Sequence, residues 1–339
     1  MKLSRIPILG IALLLLLLPV MTLFAEHADA ATSRVAVIKS LSGTVQVKKA
    51  GGSKLFKAFA KMSLNEGDVL STSANGSATL QFANGTSEDD KMSVSSNTTL
   101  TFSKLSDRNG TRTKVSMFNG SAWVDVKSIA TKNDEFTLET PTAVMGVRGT
   151  HLLVSVDPYT GNTRLTVAAG VVHTEPTGEG DAKDVKPGDH AIVTKNEADQ
   201  GEVTIAPADL DLLMKQSDKS IVEAIVAASG DIVKENNQKL DQYFDGATDE
   251  DRLKSNVENL LGAIVDSAVR SGVITQERVN QLIAEAQNQT GTTIDLSKKT
   301  LTLSPEEKQL QEAQRKKDAD ARKTADTQRK KEEGRREAE

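Results

Sequence analysis

Three histidines follow residue 30, namely His151, His173 and His190. Imidazole is the side chain best suited to metal binding and to proton transfer near neutral pH, but these three stand at unrelated spacings. Only strands folded side by side would bring them together. Glu88-Asp89-Asp90 is a compact acidic run whose oxygens suit Ca²⁺, or else a solvated turn. An acid–base pair would have to draw on distant carboxylates such as Asp125 and Asp157. The sequence has no His-Glu-x-x-His pair, no Gly-x-Ser-x-Gly elbow, no phosphate loop and no EF-hand loop. It has no cysteine either, which removes disulfides, thiolate metal sites and cysteine nucleophiles. The expectation is a protein that is not an enzyme and carries no cofactor or metal.

Binding residues are better represented. Trp123, the only tryptophan, lies in Ala122-Trp123-Val124-Asp125-Val126 and shares a strand face with Asp125. It is either an exposed binding aromatic or a side chain buried between two layers. The sharpest motif runs from Thr140 through Pro141-Thr142-Ala143-Val144-Met145-Gly146-Val147-Arg148-Gly149 to Thr150. Pro141 sets an extended approach, and Gly146 and Gly149 allow close backbone contacts. Arg148 between them is expected to bond backbone carbonyls at a corner, with an anion-binding role as the alternative. Trp123, Gly146, Arg148, Gly149 and Thr150 are thus the candidate interaction or structural residues.

The elements that must position them change character along the chain. Residues 31–206 alternate apolar with polar in short segments, among them Ala78 to Phe82, Leu100 to Phe102, Phe136 to Leu138, Leu152 to Val156 and Leu165 to Val167. Such alternation makes half-buried strands. Asn84-Gly85, Asn109-Gly110, Asn119-Gly120, Thr160-Gly161-Asn162 and Pro187-Gly188-Asp189 read as turns. Gly43-Thr44-Val45 followed by Glu66-Gly67-Asp68 is echoed by Gly170-Val171-Val172 followed by Pro187-Gly188-Asp189, and Gly120-Ser121-Ala122 repeats the first piece. That repetition favours a mainly β, solenoid-like domain of stacked coils. The Asp of each Gly-Asp pair is placed to bond back to its own turn.

Residues 207–303 carry helical spacing instead. Three helices are expected, around Ile221 to Val233, Leu253 to Val269 and Val279 to Ala286, the first broken near Gly230. A short hairpin is expected from Thr293–Leu296 and Thr300–Leu303. Residues 304–339 hold 11 basic and 10 acidic side chains with Leu310 as the one large apolar residue, so this charged tail reads as a solvated helix or a disordered arm. A net charge of −5 gives no case for a nucleic-acid partner.

Lys2 and Arg5 precede an apolar run from Ile6 to Phe24, and Ala28-Asp29-Ala30 supplies a signal-peptidase pattern. Residues 1–30 are expected to be a cleaved signal peptide, leaving an extracytoplasmic chain that is secreted or wall-associated. An uncleaved anchor is the alternative, and only then is a membrane contact implied.

At its motifs the chain resembles the FecR family, from about Val35 to Val193. The likeness rests on Ser42-Gly43-Thr44-Val45-Gln46-Val47, Glu66-Gly67-Asp68-Val69-Leu70-Ser71-Thr72, Asn84-Gly85-Thr86, Gly120 to Val126, and Thr140 to Thr150. The family usually has Phe two residues beyond the Arg-Gly-Thr, where this chain has the equally apolar Leu152. The resemblance implies an extracytoplasmic, β-rich, protein-binding domain. In the family's regulators this domain relays a signal through a membrane helix to a cytoplasmic segment that controls a sigma factor. Only five residues precede the apolar run here, so that cytoplasmic segment is not expected. The function expected is an exported protein-interaction or envelope-signalling module whose partner is another envelope protein. The alternative is a structural protein that binds cell-wall polymer or polysaccharide, using Arg315-Lys316-Lys317, Arg329-Lys330-Lys331 and Arg335-Arg336.

Overall fold

The computed structural model describes residues 34–82, 90–106, 110–127 and 134–336. The expected signal or anchor segment, Asn84-Gly85 and the acidic residues Glu88 and Asp89 lie outside the described residues. Among the described residues no helix is long and apolar enough to cross a membrane.

The described chain is mainly β and then helical. The first strands are β1 (Arg34–Ser42), β2 (Val45–Lys48), β3 (Leu55–Lys57), β4 (Ser63–Asn65), β5 (Val69–Thr72), β6 (Ser77–Phe82), β7 (Lys91–Val94) and β8 (Thr99–Ser106). A long strand, β9 (Thr111–Val126), precedes β10 (Glu135–Glu139), β11 (Ala143–Val147), β12 (Thr150–Val156) and β13 (Thr163–Ala169). Then come β14 (Val172–Pro176), β15 (Lys183–Val185), β16 (Asp189–Lys195) and β17 (Gly201–Pro207).

Pairing sorts these strands into two layers. One runs β4-β1-β6-β7-β9-β12-β13-β16-β17. The other runs β3-β2-β5-β8-β9-β10-β11-β14-β15. We call them the first and second layers. Their facing sides enclose one core, in which Phe82 of the first layer meets Phe136 of the second edge-on at 5.1 Å. Stacked coils would pair their strands in parallel. Among the strands described only β9 and β10 pair in parallel; every other strand pair is antiparallel, and one isolated parallel bridge joins Glu179 to Gln200. The chain advances by exchanging strands between two layers, and the continuous sheet is joined through β9.

Strand β9 explains the join. Residues 111–119 pair with β8 and β10 in the second layer, and residues 120–126 pair with β7 and β12 in the first. Asn119-Gly120 therefore bends a continuous strand from one layer to the other, where the sequence suggests a turn. Gly120 makes the bend with φ +96°, and a Cβ there would lie 2.1 Å from Thr98 Oγ1. The Gly-Asp turns do bond back on themselves: Asp68 accepts from Asn65 N at 2.9 Å and Asp189 from Lys186 N at 3.2 Å.

Five helices follow: α1 (Leu210–Gln216), α2 (Lys219–Phe244), α3 (Glu250–Arg270), α4 (Gln276–Thr290) and α5 (Pro305–Arg336). Ile221, Ile225 and Ile232 of α2, with Leu260 and Ile264 of α3, pack over Trp123, Leu153 and Ala168 on the outward side of the first layer. Each such aliphatic side chain, fully buried, contributes about 1.5–3 kcal/mol. This cover buries all seven residues of β13, polar ones included, although its sequence alternates.

Two helical expectations change. α2 is unbroken at Gly230, whose missing side chain admits α4 instead: a Cβ there would lie 2.5 Å from Thr290 Oγ1. No hairpin forms over residues 293–303. That segment runs along α3, where Asn256 both donates to Thr302 O at 2.8 Å and accepts from Thr302 N at 2.7 Å, and Asn259 donates to Thr300 O. Side chains of α3 take the backbone groups a second strand would have used.

Replacing Gly120 by Ala combines a left-handed backbone with a steric clash. The Gly120→Ala variant is expected to lose at least about 2 kcal/mol of stability, measured by urea unfolding.

Candidate functional site

The first-layer face beneath α2 is laid out by strand register. Lys91 on β7 stands opposite Asp125 on β9, and Asp125 opposite His151 on β12, so three ionisable residues form one row across three strands. The adjacent row holds Ser93, Trp123 and Leu153. His151 Nδ1 and Asp125 Oδ1 stand 3.4 Å apart, both deeply buried, and burial raises the Asp125 pKa despite the nearby His151 and Lys91. Trp123 is buried under the helices, 6.5 Å from the His151 ring in a stacked arrangement. Its Nε1 has no hydrogen-bond partner among the described residues. A groove of about 480 Å³ opens beside this row, lined by Asp125, Trp123, Lys91, Lys127, Asp231 and Glu223 among others. Its balanced charges suit a small polar ligand rather than a strong anion or cation.

The second cluster was not visible in the sequence. Arg164 on β13 is the largest fully buried side chain among the described residues, 2% exposed. Its Nη2 and Nε donate to Asp318 Oδ2 of α5 at 2.9 and 3.2 Å, and its Nη1 lies 3.6 Å from Asp157 Oδ2. Arg322, one turn after Asp318, reaches the same Asp157 oxygen at 2.8 Å. Burial works against ionised Asp157, but the N–H groups of Tyr159 and Thr160 and the two arginines outweigh it and hold its pKa low. Further along α5, Gln311 donates to Pro207 O at 2.9 Å, Arg315 grips Asp209, and Arg329 sits over the Tyr159 ring.

The charged segment is therefore a docked helix whose contacts recur at helical spacing through Gln311, Arg315, Asp318, Arg322 and Arg329. It lies on the domain through polar groups, since its single large apolar side chain, Leu310, is exposed. Two of the arginines proposed to meet a wall polymer, Arg315 and Arg329, are used in this docking, Arg315 through Asp209 and Arg329 over the Tyr159 ring.

The Thr140 to Thr150 motif divides by function. Thr140 and Thr142 are buried and each shares a hydrogen bond with the Thr163 hydroxyl, at 2.6 and 2.7 Å, while Thr142 also donates to Val193 O. These hydroxyls stitch the motif to β13 and β16. Thr150 is fully buried opposite Val126. Gly149 adopts φ +60° at the corner between layers, and its carbonyl would lie 2.3 Å from a Cβ on Gly170. Gly146 needs no such room, because a Cβ there would meet nothing within 4 Å. Arg148 is exposed and bonds no carbonyl among the described residues, so the structural role expected of it is not the one it has. The corner's tight geometry is closed by glycine and threonine, which leaves the guanidinium outside.

The histidines stay apart. His151 lies under α2, and His190 is buried with its Nδ1 2.8 Å from Thr166 Oγ1. His173 is exposed on the second layer between Asp184 at 2.7 Å and Glu175 at 3.3 Å, and the Asp184 hydrogen bond raises its pKa. Among the described residues no group of three His, Asp or Glu is placed to hold a metal ion. Asp125 and Asp157 line different cavities, so they do not form an acid–base pair.

Asp189 and His190 titrate in opposed senses. Burial raises the Asp189 pKa to about 6, and burial together with the charge of Arg164 lowers that of His190 to about 4. The raised carboxyl contributes stability that is full below pH 3.8 and lost as pH rises through about 6. The depressed imidazole contributes stability that is full above pH 6.5 and lost as pH falls through about 4. Each amounts to roughly 3 kcal/mol, so the two offset one another in the native chain. Asp189→Asn is expected to unmask a loss of stability between pH 6.5 and 4, and His190→Gln a gain over the same interval, followed by urea midpoints at each pH. Asp318→Ala leaves the buried Arg164 with a weaker set of partners. It is expected to cost about 3 kcal/mol by the same measurement, and Asp318→Asn less.

No curated protein matches the chain. Two crystal structures from Parabacteroides distasonis ATCC 8503, each titled as that of a "putative anti-sigma factor", are similar to it at 16% identity. In both, the match covers 42% of this chain and 60% of the other, with a TM-score of 0.34. The chain thus spans less than two thirds of the length of these neighbours. Residues 68–173, from the Asp68 turn through β5 to the start of β14, match the family described as FecR protein. The chain carries a FecR domain, and the resemblance seen in the Gly120 to Val126 and Thr140 to Thr150 motifs is that of a family to which this domain belongs.

Proposed function

We propose that the chain is a non-enzymatic, protein-binding module of a signalling system that works outside the cytoplasm. The observation that carries this reading is the FecR match over residues 68–173, a span that includes β9 and strands of both layers. The chain's own helices cover the outward side of the first layer, whereas the outward side of the second layer carries exposed side chains. Phe118 on that side is 52% exposed, and Arg148 is exposed at the opposite end of the same layer. Exposed aromatic and guanidinium groups are the side chains that most often anchor a protein partner, and a partner lying along this side would meet both.

The partner in this reading is another envelope protein, and the apolar run at residues 6–24 supports delivery to that compartment. Cross-linked capture from an envelope fraction with the full chain tests the proposal. The native chain is expected to retain one protein in near-equal amount, and Phe118→Glu with Arg148→Glu to lose it at least tenfold. Equal retention by both chains, or none by either, overturns the proposal.

A further inference from the structure

The second layer ends at β3, and the corner from β3 to β4 has a composition found nowhere else in the fold. Residues 45–65 contain five lysines and no Asp or Glu, in a chain of net charge −5. Within five residues, Leu55, Phe56 and Phe59 are 53%, 41% and 60% exposed. Large apolar side chains exposed in this way are few among the described residues, and no other three lie so near one another in sequence. Lys54, Lys57 and Lys61 are exposed between and beside them, and Lys54 Nζ sits 5.4 Å from the Phe56 ring centre. Lys49 is the member of the set held inward, by Asp68 at 2.6 Å. The nearest acidic residue in sequence, Glu66, accepts a hydrogen bond from Ser103 at 3.1 Å.

The corner is held rigidly. β3 pairs with β2, placing Phe56 opposite the buried Val47, and Ala58 N donates to Val45 O at 2.9 Å. Met62 N then donates to Phe59 O and Lys61 N to Ile38 O, which closes the turn onto β1. The apolar side chains are therefore presented by fixed backbone at an end of the two-layer stack.

A partner strand is not what this edge suits. An edge of three residues flanked by lysines is the device by which sheets refuse a further strand. Nor do the three apolar side chains line either of the cavities described above. Protruding aromatic and aliphatic groups ringed by lysines, whose stems bury while their ammonium groups stay in water, match the boundary between lipid headgroups and acyl chains.

We propose that the Leu55–Lys61 corner docks on the surface of an anionic lipid bilayer, with Leu55, Phe56 and Phe59 entering the headgroup boundary and Lys54, Lys57 and Lys61 meeting the lipid charge. Flotation of the purified full chain with phosphatidylcholine vesicles, with or without phosphatidylglycerol, tests this. Since residues 6–24 are themselves apolar, the quantity read is the increment caused by phosphatidylglycerol. Binding is expected to rise with phosphatidylglycerol and fall with added salt. Reversing the three lysines to Glu removes an attraction on the order of a hundredfold. Leu55→Ser with Phe56→Ser and Phe59→Ser should reduce the increment at least tenfold while leaving the thermal midpoint within a few degrees, because all three side chains are exposed.

Should both variants keep the full increment, or should the native chain show none, the proposal is overturned. Capture of poly-glutamate through the three lysines, without any phosphatidylglycerol increment, overturns it in favour of an acidic protein surface.

Discussion

Arg164 is a permanent cation that the fold places where water does not reach, and its pairing organises much of what surrounds it. A buried guanidinium must be met by carboxylates, because leaving it unpaired costs several kcal/mol. One partner, Asp157, comes from the turn at the end of its own hairpin. The other, Asp318, comes from a helix 154 residues later in the chain. The charged helix α5 is thus held to the first layer by the demand of an interior charge. The same cation contributes to keeping the neighbouring His190 neutral, and it helps hold Asp157 ionised. Ionic docking differs in kind from the apolar packing of α2 and α3. Buried ion pairs contribute little net stability beside hydrophobic burial, but they specify position strictly, since any shift strands a charge.

The helices give the two layers different chemical fates. Once covered, the outward side of the first layer becomes an interior, so Thr166, Arg164 and Asp125 are buried polar groups that need partners or line cavities. The second layer keeps its outward side in water, and charged pairs such as Lys114 with Glu139 at 3.0 Å sit there as ordinary surface bridges. The two-layer domain therefore has one face occupied by its own chain and another exposed to water.

Much of the strand pattern was legible from residue order alone. Alternation marks β6, β8 and β10 at the residues where they occur, because a strand with one buried side leaves a period of two in any sequence. The Gly-Asp turns at Asp68 and Asp189 were readable for a similarly local reason, the hydrogen bond back to the turn being only three residues long. Asn119-Gly120 shows where local reasoning stops. The same dipeptide that makes a turn also makes a bend between layers, and only the pairing of β9 with four other strands selects the second outcome. Gly230 is a parallel case, since its role is set by α4 approaching from 46 or more residues away rather than by its own helix.

The candidate residues divide along the same line. Thr150 and Gly149 could be singled out because a corner between layers requires a left-handed residue and a small buried one. Arg148 could be found in the sequence, but its exposure depends on which groups reach the corner first. Arg164 and Asp318 carried no signal at all: an arginine in an alternating strand and an aspartate in a salt-rich helix are each unremarkable until folding brings them to 2.9 Å. Strand-then-helix order, the FecR motifs and the lack of familiar catalytic motifs were all readable from residue order, because each depends on neighbours within a few residues. Tertiary structure alone decided which polar residues became buried charges, because burial is a property of what packs on top, and here that cover is supplied by helices far along the chain.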